Sequence, residues 1–204
     1  DLRKNMQQGW LKATDSEIEK IDRIGIWIDE DIKFKLKASD IRKLRQTRLS
    51  FAQKHKRMDI VLHEALKLRE LLKNSNESRE FTYVAAREYY ERKDFTKALP
   101  LFKVLADSVV MTKSADKWSL LSQNLVLDIY NQQKNYTAIM SQVNLWKAIP
   151  EFQENKKMAK EMIAMNTIYT QANFENSASL GETKEGLVAF YNFCFQNVYP
   201  EKSC

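Results

Sequence analysis

"AAREYYERKDFTKALPLF", residues 85–102, decides the fold. Small residues, paired tyrosines, a turn-like Lys93–Asp94 and a run of Ala, Leu and Phe follow one another in it. Upstream of Asp94, segment 79–92 sets Phe81, Val84, Ala85, Glu88 and Tyr89 along one helical stripe. Downstream, Phe95, Ala98, Leu99, Phe102 and Leu105 form another. Asp94 lies between them and is a natural N-cap, because its carboxylate can accept the free amides of a helix's first turn. The stretch reads as helix, turn, helix. Pro100 fits least well, since an interior proline removes one backbone hydrogen bond and clashes with the carbonyl four residues back. The sequence predicts a locally bent second helix there, or one that starts later than Asp94.

Working outward, similar turns occur at "KRMDI" (56–60) and "QKNY" (133–136), with a looser copy at "QANF" (171–174). Asp59, Asp94 and Asn135 align as caps, 35 and 41 residues apart. Segment 117–132 offers Leu120, Leu121, Leu125, Leu127 and Tyr130 as an apolar stripe. Segment 136–148 offers Tyr136, Ile139, Met140, Val143 and Trp146, and Pro150 stops it. Ile41, Leu44, Phe51, Ala52 and His55 predict a helix starting after Ser39 or Asp40, with 60–73 as its partner. Residues 153–173 read as a long helix, "ENSASLGETKEG" (175–186) as a loop, and about 184–197 as a last helix. Near the N terminus, Ile18, Ile21, Ile24, Ile28 and Ile32 are spaced helically, although "RIGIWI" and "IKFKLK" alternate as strands do. Helix is the better reading, because a lone ribbon has no sheet to join.

The bulk composition agrees. With 44% hydrophobic and 29% charged residues the chain can bury a core, and only 4 Gly and 3 Pro argue against a many-turned β protein. No apolar run reaches the roughly 18–20 residues that a membrane span needs. The chain begins at Asp1 and reads as a piece of a longer protein. Its net charge of +6 admits acidic partners, but the cations are dispersed among acids. The densest basic region, 33–57, reads as a solvated helix surface.

The unit of about 35–41 residues cannot bury both faces of its helices alone, and stacked copies would share a continuous core. On these residues the opening stretch resembles a tetratricopeptide repeat. Ala86, Tyr89, Asp94, Phe95, Ala98 and Phe102 occupy that family's small, aromatic and turn slots, and Tyr90 also suits it. The match is clearest over 79–106. Further on, Tyr130, Asn135, Tyr136 and Pro150 fit, while Leu127 and Ile139 stand where small residues belong. The resemblance implies an all-α fold: a right-handed α-solenoid of about three to four degenerate helix pairs. The units would cover about 39–75, 77–112, 115–150 and 152–197, within a domain of 39–204, after an N-terminal helical segment, 1–38.

No catalytic constellation is legible. His55 and His63 fall on different predicted helices, "DEDIK" (29–33) lacks calcium-loop spacing, and no phosphate-loop, dinucleotide or hydrolase motif occurs. The expectation is a non-enzymatic chain with no cofactor and no metal. In tetratricopeptide-like arrays the first helix of each pair lines the concave face. That resemblance points to Tyr83, Arg87 and Tyr90 in one unit and to Asn124, Asp128 and Asn131 in the next as residues that grip a protein or peptide partner. Nucleic acid is the disfavoured partner, since the degenerate units show no regular base-reading positions. A regulatory or scaffold domain of a larger cell-envelope enzyme is a further alternative. Cys194 and Cys204 are either two free thiols or one disulfide across "VYPEKS". A bridge would mean a periplasmic or secreted chain, and free thiols a cytoplasmic one.

Overall fold

The computed structural model describes residues 2–34, 37–73, 75–146 and 148–154. The expected helices at 153–173 and 184–197, the loop at 175–186, the fourth turn and both cysteines lie wholly or almost wholly outside them. The described residues are all-helical, with no strand among them. The helices are α1 (Leu2–Ala13), α2 (Glu17–Lys33), α3 (Ala38–Lys54), α4 (Met58–Leu71), α5 (Glu77–Glu91), α6 (Phe95–Ala106), α7 (Ser108–Thr112), α8 (Lys117–Gln132), α9 (Tyr136–Trp146) and α10 (Pro150–Glu154). The alternating segment "RIGIWI" lies within α2, and "IKFKLK" is described continuously only as far as Phe34: α2 runs through the first and into the second, burying Ile21, Ile24, Trp27 and Ile28. The chain divides within α6 into two compact units, Asp1–Leu101 and Phe102–Cys204.

In the first unit, ion pairs report how neighbouring helices run. Arg3 at the start of α1 bonds Glu30 and Asp31 at the end of α2, both at 2.7 Å. Glu17 at the start of α2 meets Lys54 (2.8 Å) and His55 (2.7 Å) at the end of α3. Successive helices are therefore antiparallel. Lys4 reaches Asp40 (3.1 Å), and Arg42 pairs with Glu77, so α1, α3 and α5 have their N-terminal ends together. Ile24, Trp27, Ile28 and Ile41 form one core cluster, with Trp10 edge-on to Trp27 at 5.3 Å. Leu49, Ala52, Val61, Leu68 and Phe81 form another. Each Ile, Leu, Val or Phe side chain among them contributes roughly 1.5–3 kcal/mol by leaving water.

The basic region at 33–57 is not wholly a solvated face. Arg45 is 6% exposed, and its guanidinium meets the fully buried Glu64 at 2.5 Å. Arg48 binds the other oxygen of Glu64 at 2.6 Å and donates to the Ile21 carbonyl at 2.9 Å. That guanidinium lies against Gly25, where a Cβ would come within 2.6 Å of it. A cluster of one acid and two arginines thus joins α2, α3 and α4. Both arginines were hidden in sequence because their partner lies 16 and 19 residues away, on another helix.

The turns repeat more closely than the sequence suggests. Lys56, Lys93 and Lys134 all have positive φ, at 53, 59 and 54°. The amide of each bonds the carbonyl three residues back, and the next amide bonds the carbonyl five back: Lys93 to Tyr90 and Asp94 to Tyr89, Lys134 to Asn131 and Asn135 to Tyr130, Lys56 to Gln53 and Arg57 to Ala52. This is the left-handed helix ending normally given to glycine. The residue after each lysine is the N-cap of the next helix. Asp94 accepts from the Lys97 amide (3.3 Å) and Asn135 from the Ala138 amide (3.1 Å). In the first turn that place belongs to Arg57, which makes no side-chain cap. Asp59 is therefore not a cap. It sits inside the first turn of α4 and pairs with Arg92 at 2.9 Å. The true repeat spacings are 37 and 41 residues.

Pro100 is inside α6, which starts directly after Asp94, so a later start is not observed. Pro100 and Thr96 are both exposed, so the carbonyl that loses its partner lies on a solvent side. In the second unit, α8 is closed by a capping box in which Asp116 and Ser119 satisfy each other's backbone amides at 2.8 and 2.9 Å. Its buried side is Val126, Leu127 and Ile129, whereas the expected Leu121 is exposed. Asp107 accepts from Gln142 Nε2 (2.5 Å) and Trp146 Nε1 (3.0 Å), which ties the entry of α7 to α9. Pro150 does not only stop α9. It opens α10, where its fixed φ is suited to a first helical position.

Candidate functional site

The positions expected to bind a partner lie on the helices that precede the αL-lysine turns. Within the first unit, Tyr83, Arg87 and Tyr90 share one stripe of α5, four and three residues apart. Arg87 is exposed and both tyrosines are half-buried. The guanidinium donates to Glu91 at 2.7 Å, hydrogen-bonds Tyr83 and sits 5.7 Å from the Tyr90 ring centre. Tyr90 in turn contacts Phe95, with ring centres 5.7 Å apart. The arginine is thus held in place by its own helix. Burial works against its charge, but Glu91 and Tyr83 outweigh that and raise its pKa above the ordinary arginine value. The stripe offers two aromatic faces, guanidinium donors and a carboxylate, the groups that anchor polar peptide contacts.

Within the second unit, Asn124, Asp128 and Asn131 share the matching stripe of α8, and all three are half-buried. Asp128 accepts from Gln132 at 2.5 Å. The Oδ1 atom of Asn124 is shielded from water and has no hydrogen-bond partner among the described residues. A buried acceptor left unmatched costs about 1–3 kcal/mol. Each member of this triplet stands 41 residues after its counterpart in α5, the interval between Lys93 and Lys134.

The same arithmetic exposes a third triplet that sequence reasoning missed. Counting back 37 residues gives Gln46, Ser50 and Gln53 on α3. Ser50 and Gln53 are exposed and Gln46 is half-buried. The signal in sequence was the lysine of each turn, not the acid after it. Aligning on Asp59 shifts the register by two residues and hides these positions.

The histidines bring no chemistry together. His55 is tied to Glu17, and His63 is exposed on α4. Among the described residues no group of three or more metal-ligating side chains assembles, and no helix is long and apolar enough to cross a membrane. Of the aromatic residues expected in the core, Phe102 and Trp146 are fully buried, while Tyr89, Phe95 and Tyr130 are half-buried. No family model matches the chain, and no curated protein or solved structure is significantly similar to it.

Proposed function

We propose that this chain is a degenerate tetratricopeptide-like α-solenoid that serves as a protein-interaction scaffold. In this reading α3, α5 and α8 are first helices of helix pairs, and the stripe on α5 of the first unit takes an extended peptide or a protein partner, with the α8 stripe serving the second unit in the same way. One observation carries it. The same three-residue turn closes α3, α5 and α8, and counting back from it finds a polar or aromatic triplet at equivalent positions each time. Side chains used only for packing have no reason to keep that polarity. The Tyr83–Arg87–Tyr90 stripe is the strongest anchor, because Tyr and Arg dominate binding hot spots.

The test is selection of binders from a random peptide display library against the full chain. Enriched peptides should bind the Y83A/R87A/Y90A variant at least about tenfold more weakly, as loss of hot-spot residues predicts. The variant should stay folded with only a modest loss of melting temperature, since Arg87 is exposed and the two tyrosines are half-buried and not part of the buried core. Equal binding to both proteins would remove the assignment. The same chain titrated with single-stranded nucleic acid at low salt should show no binding that falls steeply with added salt.

A further inference from the structure

The chain's cations are dispersed in sequence but not in the first unit. Between α1 and the start of α3 lies a cleft of about 480 Å³, lined by Arg3, Lys4, Lys37 and Lys43 with Asp31 and Asp40. Both acids are already engaged: Asp31 by Arg3 at 2.7 Å and Asp40 by Lys4 at 3.1 Å. Lys37 and Lys43 have no ion-pair partner among the described residues. Their fields still reach into the cleft: the hydrogen bond from Lys4 holds the Asp40 carboxyl below its usual range, and the charges of Lys43 and Lys37 add to it. Gln7 also lines the cleft, and its side-chain Nε2 is shielded from water without any partner among the described residues.

We propose that this cleft binds the dianion of a phosphate monoester. The lining side chains, four cations and two acids, sum to +2, of which Glu30 offsets part by pairing with Arg3 from outside the cleft. Lys37 and Lys43, the two cations without an acid partner among the described residues, match the two charges of a dianion better than the one of a carboxylate. A monoester also brings three acceptor oxygens, enough for both free lysines and the unmatched amide of Gln7. A lysine is a compact charge on a flexible stem and needs no planar partner, which suits a tetrahedral phosphate. The cleft adjoins a second one of about 350 Å³ that reaches Gln8, Leu11, Gln46 and Thr47, where the organic part of the ester would lie. This goes beyond the peptide-binding reading: Tyr83, Arg87 and Tyr90 line neither cleft, and of the α3 triplet only Gln46 borders the second one.

The experiment titrates the full chain with phenyl phosphate and, separately, with benzoate, followed by backbone amide chemical shifts at low salt and pH 7.5. Saturable binding of phenyl phosphate is expected, with benzoate at least about tenfold weaker. The Lys37→Gln/Lys43→Gln double variant should bind phenyl phosphate at least about tenfold less tightly, and Gln7→Leu less tightly than the wild type. A charge-matched control, Lys12→Gln/Lys73→Gln, should bind as the wild type does. An equal loss in the control, or benzoate as tight as phenyl phosphate, overturns the proposal. So does the absence of saturation with phenyl phosphate. The Y83A/R87A/Y90A variant should keep full phosphate binding, and its loss there would overturn the separateness of the site. A phosphoserine peptide that outcompetes free phosphoserine identifies the phosphate as protein-borne, and equal competition identifies a small metabolite.

Discussion

The two units handle buried polarity by different means. Every buried charged residue among those described lies in the first unit: Asp31, Arg45, Glu64 and Glu88. The buried polar side chains described in the second are neutral: Ser119, Ser122, Gln123 and Gln142. The first unit therefore relies on ion clusters that are costly to desolvate and costly to break. The second relies on hydroxyl and amide groups around the part-buried Asp107 carboxylate, and leaves Ser122 Oγ, both side-chain polar atoms of Gln123, Asn124 Oδ1 and Glu151 Oε2 without partners among the described residues. An ion cluster accepts one arrangement of its helices, whereas unmatched amides tolerate several. The first unit should accordingly be the more specifically locked, and the second the more adaptable.

Two substitutions test that contrast directly. Glu64→Ala has the largest expected effect. It leaves Arg45 buried and Arg48 half-buried without their carboxylate, at a cost of about 3–5 kcal/mol. Urea denaturation with amide exchange read on α3 and α4 measures it, and a loss below about 1 kcal/mol would mean that the cluster locks nothing. Asp107→Ala is the matching cut in the second unit. It removes the acceptor of Gln142 and Trp146, and about 2–3 kcal/mol is expected, read on α9 by the same method. A cost equal to that of Glu64→Ala would erase the contrast.

Smaller effects separate the turns. Asp94→Ala should cost about 1 kcal/mol in thermal denaturation, as loss of an N-cap does. Asp59→Ala should cost only a few tenths, because that residue caps nothing and its pair with Arg92 is exposed. Glu88 gives an effect that depends on pH. Burial raises its carboxyl pKa, with Glu91 and Asp59 adding to the rise and Arg92 and Arg87 opposing it. Its protonated form is favoured on folding, so the stabilising contribution is present below the usual carboxyl range and is lost as pH rises through the raised value. Glu88→Gln should therefore match the wild type near pH 4 and exceed its stability at pH 7 by less than about 1 kcal/mol. Greater stability of the wild type at pH 7 would show that Arg87 and Arg92 outweigh the burial.

How much of this was legible depended on the range of the interaction involved. The all-α class and most helix bounds follow from local periodicity, and 117–132 is reproduced residue for residue by α8. Asp94 and Asn135 could be read as caps because a cap acts within three residues. The turn at Lys56 was misread because aspartate is the expected capping residue and the chain places arginine there. The triplets on α5 and α8 came from the family resemblance, and the structure places Arg87 at the surface and the other five half-buried, while Gln46, Ser50 and Gln53 could not be aligned with them because the Lys56 turn was out of register. The Glu64 cluster and the Asp107 network were not readable. Their partners are 16 to 39 residues apart, and nothing local distinguishes a buried arginine from a solvated one.

The lysine turns also bear on how such a chain can change length. The hairpin at each of them has the same span, while the stretch from Lys93 to Lys134 is longer than that from Lys56 to Lys93, and it contains the extra helical turn α7. Residues have accumulated in the connection between pairs and not in the hairpins. An insertion between Thr112 and Asp116 extends a connection that already varies, whereas one between Arg92 and Phe95 uncouples a helix ending from the next helix's cap. Among the described residues the chain thus keeps a joint of fixed size beside a spacer that varies, so a residue added in the spacer leaves each helix ending in register with the cap that follows it.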